Sequence, residues 1–239
     1  MSNIIQLMRR ILPSDQAILL PFDNWSKGGT AIDHRRGTQD NQTYSNPTAA
    51  GANVSTSRNL GYKFSDLLAN TDDGILDGDA SLVSRADLDL GGFSVRMKID
   101  AGTWTDGNFR RAIAITTDGD CFCLMEKRDT NNRFRIQRRN SAPGSEYRNI
   151  DANISLTDWF WVTGTWYVGG NALYLYADGV DIGSTAGLSA NADNNNVVEI
   201  GSGSGAFRPF DGGFQMAFLH DGNGMSYASH KWLSRYNED

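Results

Sequence analysis

Apolar and polar residues alternate with a period of two along much of the second half of this chain. Phe93, Val95, Met97 and Ile99 alternate with Ser94, Arg96, Lys98 and Asp100. Successive strand side chains point to opposite faces, so this pattern predicts a half-buried antiparallel strand. Phe134 and Ile136 alternate in the same way with Arg133, Arg135 and Gln137, and Leu173 and Leu175 with Tyr174 and Tyr176. Further strands are expected at residues 16–22, 111–116, 121–125, 158–166, 197–201 and 214–219. Asp118-Gly119 and Asp178-Gly179 supply tight turns between strands. Residues 34–59, rich in Thr, Asn, Ser and Gly, read as a surface excursion with short strands. Two stretches depart from the period. Ile4, Leu7, Met8, Ile11 and Leu12 recur at helical spacing with Arg9 and Arg10 off the stripe, until Pro13 stops it. Residues 227–236 predict a short terminal helix.

Many short antiparallel strands with closely spaced turns mean a sandwich or barrel. No internal repeat and no second hydrophobic core is visible. The expected organisation is an amphipathic arm at residues 1–15 and one β-sandwich domain at 16–239. A chain of 239 residues buries a sizeable core without disulfides or metals.

Composition sharpens this picture. The net charge is −6, and only four of the 28 acidic residues are glutamates: Glu126, Glu146, Glu199 and Glu238. Asp favours turns, so the surface is acidic and rich in loops, which argues against general nucleic-acid binding. Cys121 and Cys123 stand two apart in an expected strand, so their side chains share a face and a bridge between them would be strained. Both read as buried free thiols, in keeping with folding in a reducing cytoplasm. No stretch approaches the ~20 apolar residues that span a membrane. Residues 1–15 do not read as a signal peptide, because Gln6, Arg9 and Arg10 interrupt the apolar run.

An ordered set of motifs carries a family resemblance. Trp159-Phe160-Trp161-Val162-Thr163-Gly164-Thr165-Trp166 is followed by Ala172-Leu173-Tyr174-Leu175-Tyr176-Ala177-Asp178-Gly179, then Val198-Glu199-Ile200-Gly201, then Phe210-Asp211-Gly212. Earlier come Ile18-Leu19-Leu20-Pro21-Phe22-Asp23 and Phe93-Ser94-Val95. This order resembles the laminin-G-like, concanavalin A-like jelly-roll domains. The resemblance implies an all-β jelly-roll sandwich of two antiparallel sheets, which the short C-terminal helix also matches; the short N-terminal helix or arm is read from the spacing of residues 4–12. The resemblance does not imply one function: members bind glycans, bind proteins, hydrolyse polysaccharides or serve as virion parts.

A retaining glucanase needs two carboxylates about 5 Å apart, and enzyme members of the resembled family carry them as Glu-x-Asp-x-x-Glu. That motif is absent, so no catalytic residue is assigned. A glycan site needs an aromatic platform beside amides and carboxylates. Trp104 with Asp106 and Asn108 qualifies by its polar loop, and Trp25 comes second. No cofactor is expected. Structural calcium at Asp72, Asp73, Asp77 and Asp79, or at Asp23 and Asp211, is weighed against ordinary turn chemistry, which the spacing favours. Arg133, Arg135, Arg138 and Arg139 form a basic patch that suits an acidic partner surface or an anionic glycan. Nucleic acid ranks last among its partners for want of interleaved aromatics.

Two readings follow. The first is a non-catalytic structural protein of a tailed-bacteriophage virion, decorating the capsid or forming part of the tail, assembled in the host cytoplasm. Ile4, Leu7, Met8, Ile11 and Leu12 would dock it to other virion proteins or to copies of itself, and its body would be free to contact glycans. The alternative is a carbohydrate-binding lectin module with no virion role.

Overall fold

A computed structural model describes the backbone of residues 17–21, 31–32, 43–44, 54–57, 61–64, 76–77, 89–117, 122–130, 132–140, 146–154, 156–190, 196–201, 210–221, 230–231 and 234. Side chains are described at 89–116, 122–130, 132–140, 150, 153–154, 156–190, 201, 210–213, 230–231 and 234. The described elements are almost all strands. In chain order they are β1 (Ala17–Pro21), β2 (Ala31–Ile32), β3 (Thr43–Tyr44), β4 (Val54–Ser57), β5 (Gly61–Phe64), β6 (Leu76–Asp77) and β7 (Leu90–Lys98). A single helical turn, α1 (Ala101–Trp104), leads to β8 (Arg110–Thr117), β9 (Phe122–Lys127), β10 (Arg133–Asn140) and β11 (Glu146–Asn153). There follow β12 (Phe160–Tyr167), β13 (Ala172–Ala177), β14 (Val180–Thr185), β15 (Asn196–Ile200) and β16 (Gly212–Asp221).

Two antiparallel sheets result. An eight-stranded sheet runs β14-β13-β12-β7-β16-β5-β4, with β1 also paired to β16. A six-stranded sheet runs β11-β10-β9-β8-β15-β6. β2 and β3 pair separately. The expected sandwich is therefore present, and the expected strands at 16–22, 111–116, 158–166, 197–201 and 214–219 each overlap an observed one. His230 and Lys231 are helical, and the Ser234 amide donates to the His230 carbonyl at 3.0 Å, so the terminal helix is present at that point. The N-terminal stripe of residues 4–12 lies outside the described residues.

The core lies between the sheets and is built by the period-two residues. Phe93, Val95 and Met97 of β7, and Phe160, Val162 and Trp166 of β12, meet Ile113 and Ile115 of β8, Cys123 and Met125 of β9, and Phe134 and Ile136 of β10. Phe93 and Trp166 rings lie 4.8 Å apart. Gly164 sits on the core side of β12, where a Cβ would collide with Ile136 Cδ1 and come within 3.1 Å of Met125 Sδ. The missing side chain lets the sheets approach there. Gly164→Val is expected to destabilise the fold by about 1–3 kcal/mol through overpacking, and Ile136→Ala in the same chain to recover part of it. Urea unfolding of the single and double variants measures both. Equal losses in the two would show that Ile136 is not what Gly164 accommodates.

Turn chemistry fixes the hairpins that matter below. Asp178 and Gly179 both take positive φ (43° and 81°), the paired left-handed conformation of a two-residue type I′ turn joining β13 to β14. In the β12–β13 turn, Asn171 takes φ 54°, and its amide donates to the Val168 carbonyl at 2.9 Å. Its side-chain oxygen accepts from the Gly187 and Leu188 amides at 2.7 Å each, tying the following loop to this turn.

Candidate functional site

In β8, β9 and β10 of the six-stranded sheet, one set of side chains enters the core and the other faces away from it. The outward register across three strands places Arg111 of β8 opposite Glu126 of β9, and Glu126 opposite Arg135 of β10. Opposite charges directly across strands attract, and here they close into an ion ladder. Arg135 donates to Glu126 Oε1 through Nε at 2.8 Å and also through Nη2, and Arg111 Nε lies 3.8 Å from Oε2. The Arg135 guanidinium also lies 5.3 Å from the Phe109 ring centre, and Arg128 lies 5.7 Å from the same ring. Glu126, Ala114, Leu124 and Gln137 are all buried, although they face away from the core. The centre of this face is therefore closed to solvent.

At one end of the sheet, Lys127 and Arg110 are buried and converge on Asp106. Lys127 Nζ donates to Asp106 Oδ1 and, at 2.9 Å, to the Asn108 carbonyl. Arg110 grips Asp106 Oδ2 through Nε and Nη2 at 2.9 and 2.7 Å. The Asn108 amide donates to Asp106 Oδ1 at 2.9 Å. Burial alone raises the Asp106 carboxyl, but the hydrogen bonds from Lys127, Asn108 and Arg110 outweigh it and hold it below the usual carboxylate range. Both carboxylate oxygens are thus engaged in holding the loop.

The same end corrects the expectation for Trp104. It is not an exposed platform. The α1 turn directs the indole into the core beside Phe160, with ring centres 6.3 Å apart, and its Nε1 donates to the Leu156 carbonyl at 2.9 Å. A polar loop sequence gave no sign of this, because the carbonyl that accepts the indole N–H lies 52 residues away. Asn108 remains exposed, but Asp106, Asn108 and Trp104 act together as scaffold. Asp211 accepts a 2.8 Å hydrogen bond from Thr103 Oγ1, which docks the α1 turn against the start of β16.

The arginine patch is also corrected in part. Arg138 points to the core side and is fully buried, donating to Asp89 Oδ1 at 3.1 Å and to the Ser189 carbonyl at 2.8 Å. Arg135 belongs to the ladder. Arg133 and Arg139 are half-buried on the outward face. Cys123 is a buried free thiol in the core, and burial pushes it far above its ordinary pKa. Trp25, Asp23, Asp72, Asp73, Asp79, Cys121 and the stripe of Ile4, Leu7, Met8, Ile11 and Leu12 lie outside the described residues, and at Asp77 only the backbone is described. Among the described residues, no group of three His, Cys, Asp or Glu side chains converges to hold a metal.

The eight-stranded sheet presents a different outward face. Its registers set Ser94, Thr163, Tyr176 and Asp181 side by side, and the next row holds Gly92, Thr165, Tyr174 and Ser184. His230 covers the first row. Its Nε2 accepts from the Gly179 amide at 3.1 Å, so the ring proton resides on Nδ1, which donates to Thr163 Oγ1 at 2.8 Å. Thr163 Oγ1 in turn lies 2.8 Å from Ser94 Oγ. The imidazole stacks on Tyr176 at 5.4 Å, and Tyr176 on Tyr174 at 6.2 Å with ring planes 7° apart.

With both faces defined, similarity to known proteins can be placed. The laminin-G-like family of the concanavalin A-like lectin/glucanases superfamily matches residues 73–221. The chain belongs to this superfamily. No curated protein sequence matches it. Among solved structures, the botulinum neurotoxin serotype D binding domain superposes with a TM-score of 0.59 at 14% identity, covering 93% of this chain and 52% of that one. The serotype D ligand-binding domain in complex with N-acetylneuraminic acid gives 0.62 at 15% identity, covering 93% and 51%. The carbohydrate-binding module (CBM40) of a Ruminococcus gnavus sialidase, bound to α2,3-sialyllactose, gives 0.52 at 13% identity, covering 65% and 86%. The chain thus spans about half the length of the neurotoxin structures. At these identities the likeness concerns the fold alone.

The superfamily's name joins two activities that ask different things of a sheet face. A glucanase must present a pair of carboxylates free to exchange protons and attack sugar carbon. Glu126 is the only glutamate among the described side chains, and it is buried between two guanidinium groups. Asp106 is held by a lysine and an arginine. A lectin needs only rings and hydrogen-bonding groups at its surface.

Proposed function

We propose that this chain is a non-catalytic carbohydrate-binding module. The observation that carries the reading is the Arg111–Glu126–Arg135 ladder: within a lectin/glucanase fold, the centre of the outward sheet face is closed and its glutamate is tied up in ion pairs. The structural neighbours bound to sialyllactose and to N-acetylneuraminic acid support a sugar ligand on this kind of scaffold.

The purified chain is expected to release no reducing sugar above blank from β-glucans or alginate, while binding at least one oligosaccharide saturably in a glycan array. Steady turnover that disappears on changing one Asp would overturn the reading. The virion reading draws no support from the neurotoxin and sialidase-module structures, and its docking stripe lies outside the described residues. Among the described residues, no helix is long and apolar enough to cross a membrane.

A further inference from the structure

On the outward face of the eight-stranded sheet, His230 covers the Ser94–Thr163–Tyr176 row. Beyond that row Gly92 and Thr165 stay buried, while two tyrosines of the β12–β13 hairpin are exposed: Tyr174 at 37% and Tyr167 at 46%. Tyr167 pairs with Ala172 and Tyr174 with Thr165, so the tyrosines are diagonal neighbours on one face of the β12–β13 hairpin. Diagonal pairs stand about 7–8 Å apart, within reach of one another's rings.

Both rings are held before any ligand arrives. The Tyr167 ring lies against the Gly169–Gly170 turn so closely that a Cβ on Gly169 would come within 2.7 Å of Cε2, and one on Gly170 would collide with Cδ1. Bare glycine backbone therefore supports one side of the ring. Tyr174 is held by the parallel stack that continues through Tyr176 to His230. Exposed Ser184 lies opposite Tyr174, and exposed Asp181 lies opposite Tyr176 on the neighbouring β14. The buried hydroxyl side chain of Thr165 completes the row.

Partly exposed rings packed on one side, with a hydroxyl and a carboxylate on the neighbouring strand, match the chemistry of a pyranose. Its C–H face stacks on an aromatic ring, and its hydroxyls donate to a carboxylate. Pre-set rings also lower the ordering entropy that binding must overcome. We propose that Tyr174, with Ser184 and Asp181 at its rim, and Tyr167 beyond it form a binding site for successive units of a neutral hexopyranose oligosaccharide. Asp181 favours hydroxyl donors and disfavours a sugar carrying its own carboxylate. The inference rests on the carbohydrate-binding reading above and gives it a location and a ligand class.

The test uses the full chain against an immobilised panel of lactose and of β-glucan, galactan and mannan oligosaccharides, with α2,3-sialyllactose as the anionic arm. The expected result is binding to a neutral member that weakens at least tenfold in Tyr174→Ala and in Tyr167→Ala, and is largely kept in Tyr174→Phe. Gly170→Ala, which displaces the Tyr167 ring without removing it, is expected to weaken binding too. Urea unfolding shows whether each variant is folded. Both tyrosines are exposed, so their unfolding curves are expected to stay close to the parent's. Glycan binding unchanged in both alanine variants would overturn this site while leaving the carbohydrate-binding reading standing. Binding confined to sialyllactose would overturn the neutral ligand class. No binding to any member of the panel or of a wider array would overturn both.

Discussion

Replacing Glu126 by alanine is expected to lower the unfolding free energy by about 3–5 kcal/mol, and the thermal midpoint by roughly 6–20 °C in a chain of this size. The reason is the state of its partners. Arg111 and Arg135 keep only 10% and 12% of their side-chain surface exposed. Without the carboxylate their charges stay desolvated and repel each other across β9. The loss comes from what is left behind rather than from the intrinsic strength of the ladder. Changing all three together, Arg111→Met, Glu126→Leu and Arg135→Met, is therefore expected to be far milder than the single change, and close to neutral. Urea unfolding of the two variants beside the parent decides it. A single variant within about 1 kcal/mol of the parent would place the ladder among surface ion pairs of small effect.

That ladder shows where the sequence stops speaking. The alternation in β7, β10 and β13 was legible because each strand's own residues carry it, and Asp178-Gly179 announced its turn for the same reason. Arg111, Glu126 and Arg135 come from three different strands, and only the register brings them together. As a run of basic residues, Arg133, Arg135, Arg138 and Arg139 suggested a patch. In the structure Arg138 turns inward, because it shares the face of Phe134 and Ile136 rather than that of Arg135. β14 went unnoticed because Val180-Asp181-Ile182-Gly183-Ser184-Thr185 buries little at a sheet edge and carries almost no alternation.

Trp104 and the tyrosines failed in opposite directions. A tryptophan flanked by Gly, Thr and Asp suggested exposure, yet one helical turn and one distant carbonyl bury it. Tyr174 was visible as the outward partner of Leu173 and Leu175, but its value as a platform depends on two features no local pattern contains. Tyr167 must be its diagonal neighbour, and His230, 56 positions further along, must close the stack behind Tyr176.

His230 also makes stability depend on pH. The imidazole is fully buried, one nitrogen accepts from Gly179 and the other donates to Thr163, and burial pushes its pKa down to about 4. Protonation would put a proton on the nitrogen facing the Gly179 amide, opposing a donor with a donor. Among the described residues, Asp178 precedes the Gly179 that donates to the ring, and Lys231 follows His230 in the chain. The folded state therefore resists protonation while the unfolded chain, with an ordinary histidine pKa near 6.5, accepts it. Stability contributed by the neutral ring is complete above about pH 6.5 and falls as the pH drops towards 4, by roughly 3 kcal/mol over the window. Carboxylates titrate in the same range, so the informative quantity is the difference between the parent and His230→Gln. The parent is expected to be the more stable at pH 7, and its advantage to shrink by about 3 kcal/mol on passing to pH 4. Urea unfolding of both proteins at several pH values measures this. A constant gap across the range would mean that folding does not shift the His230 pKa.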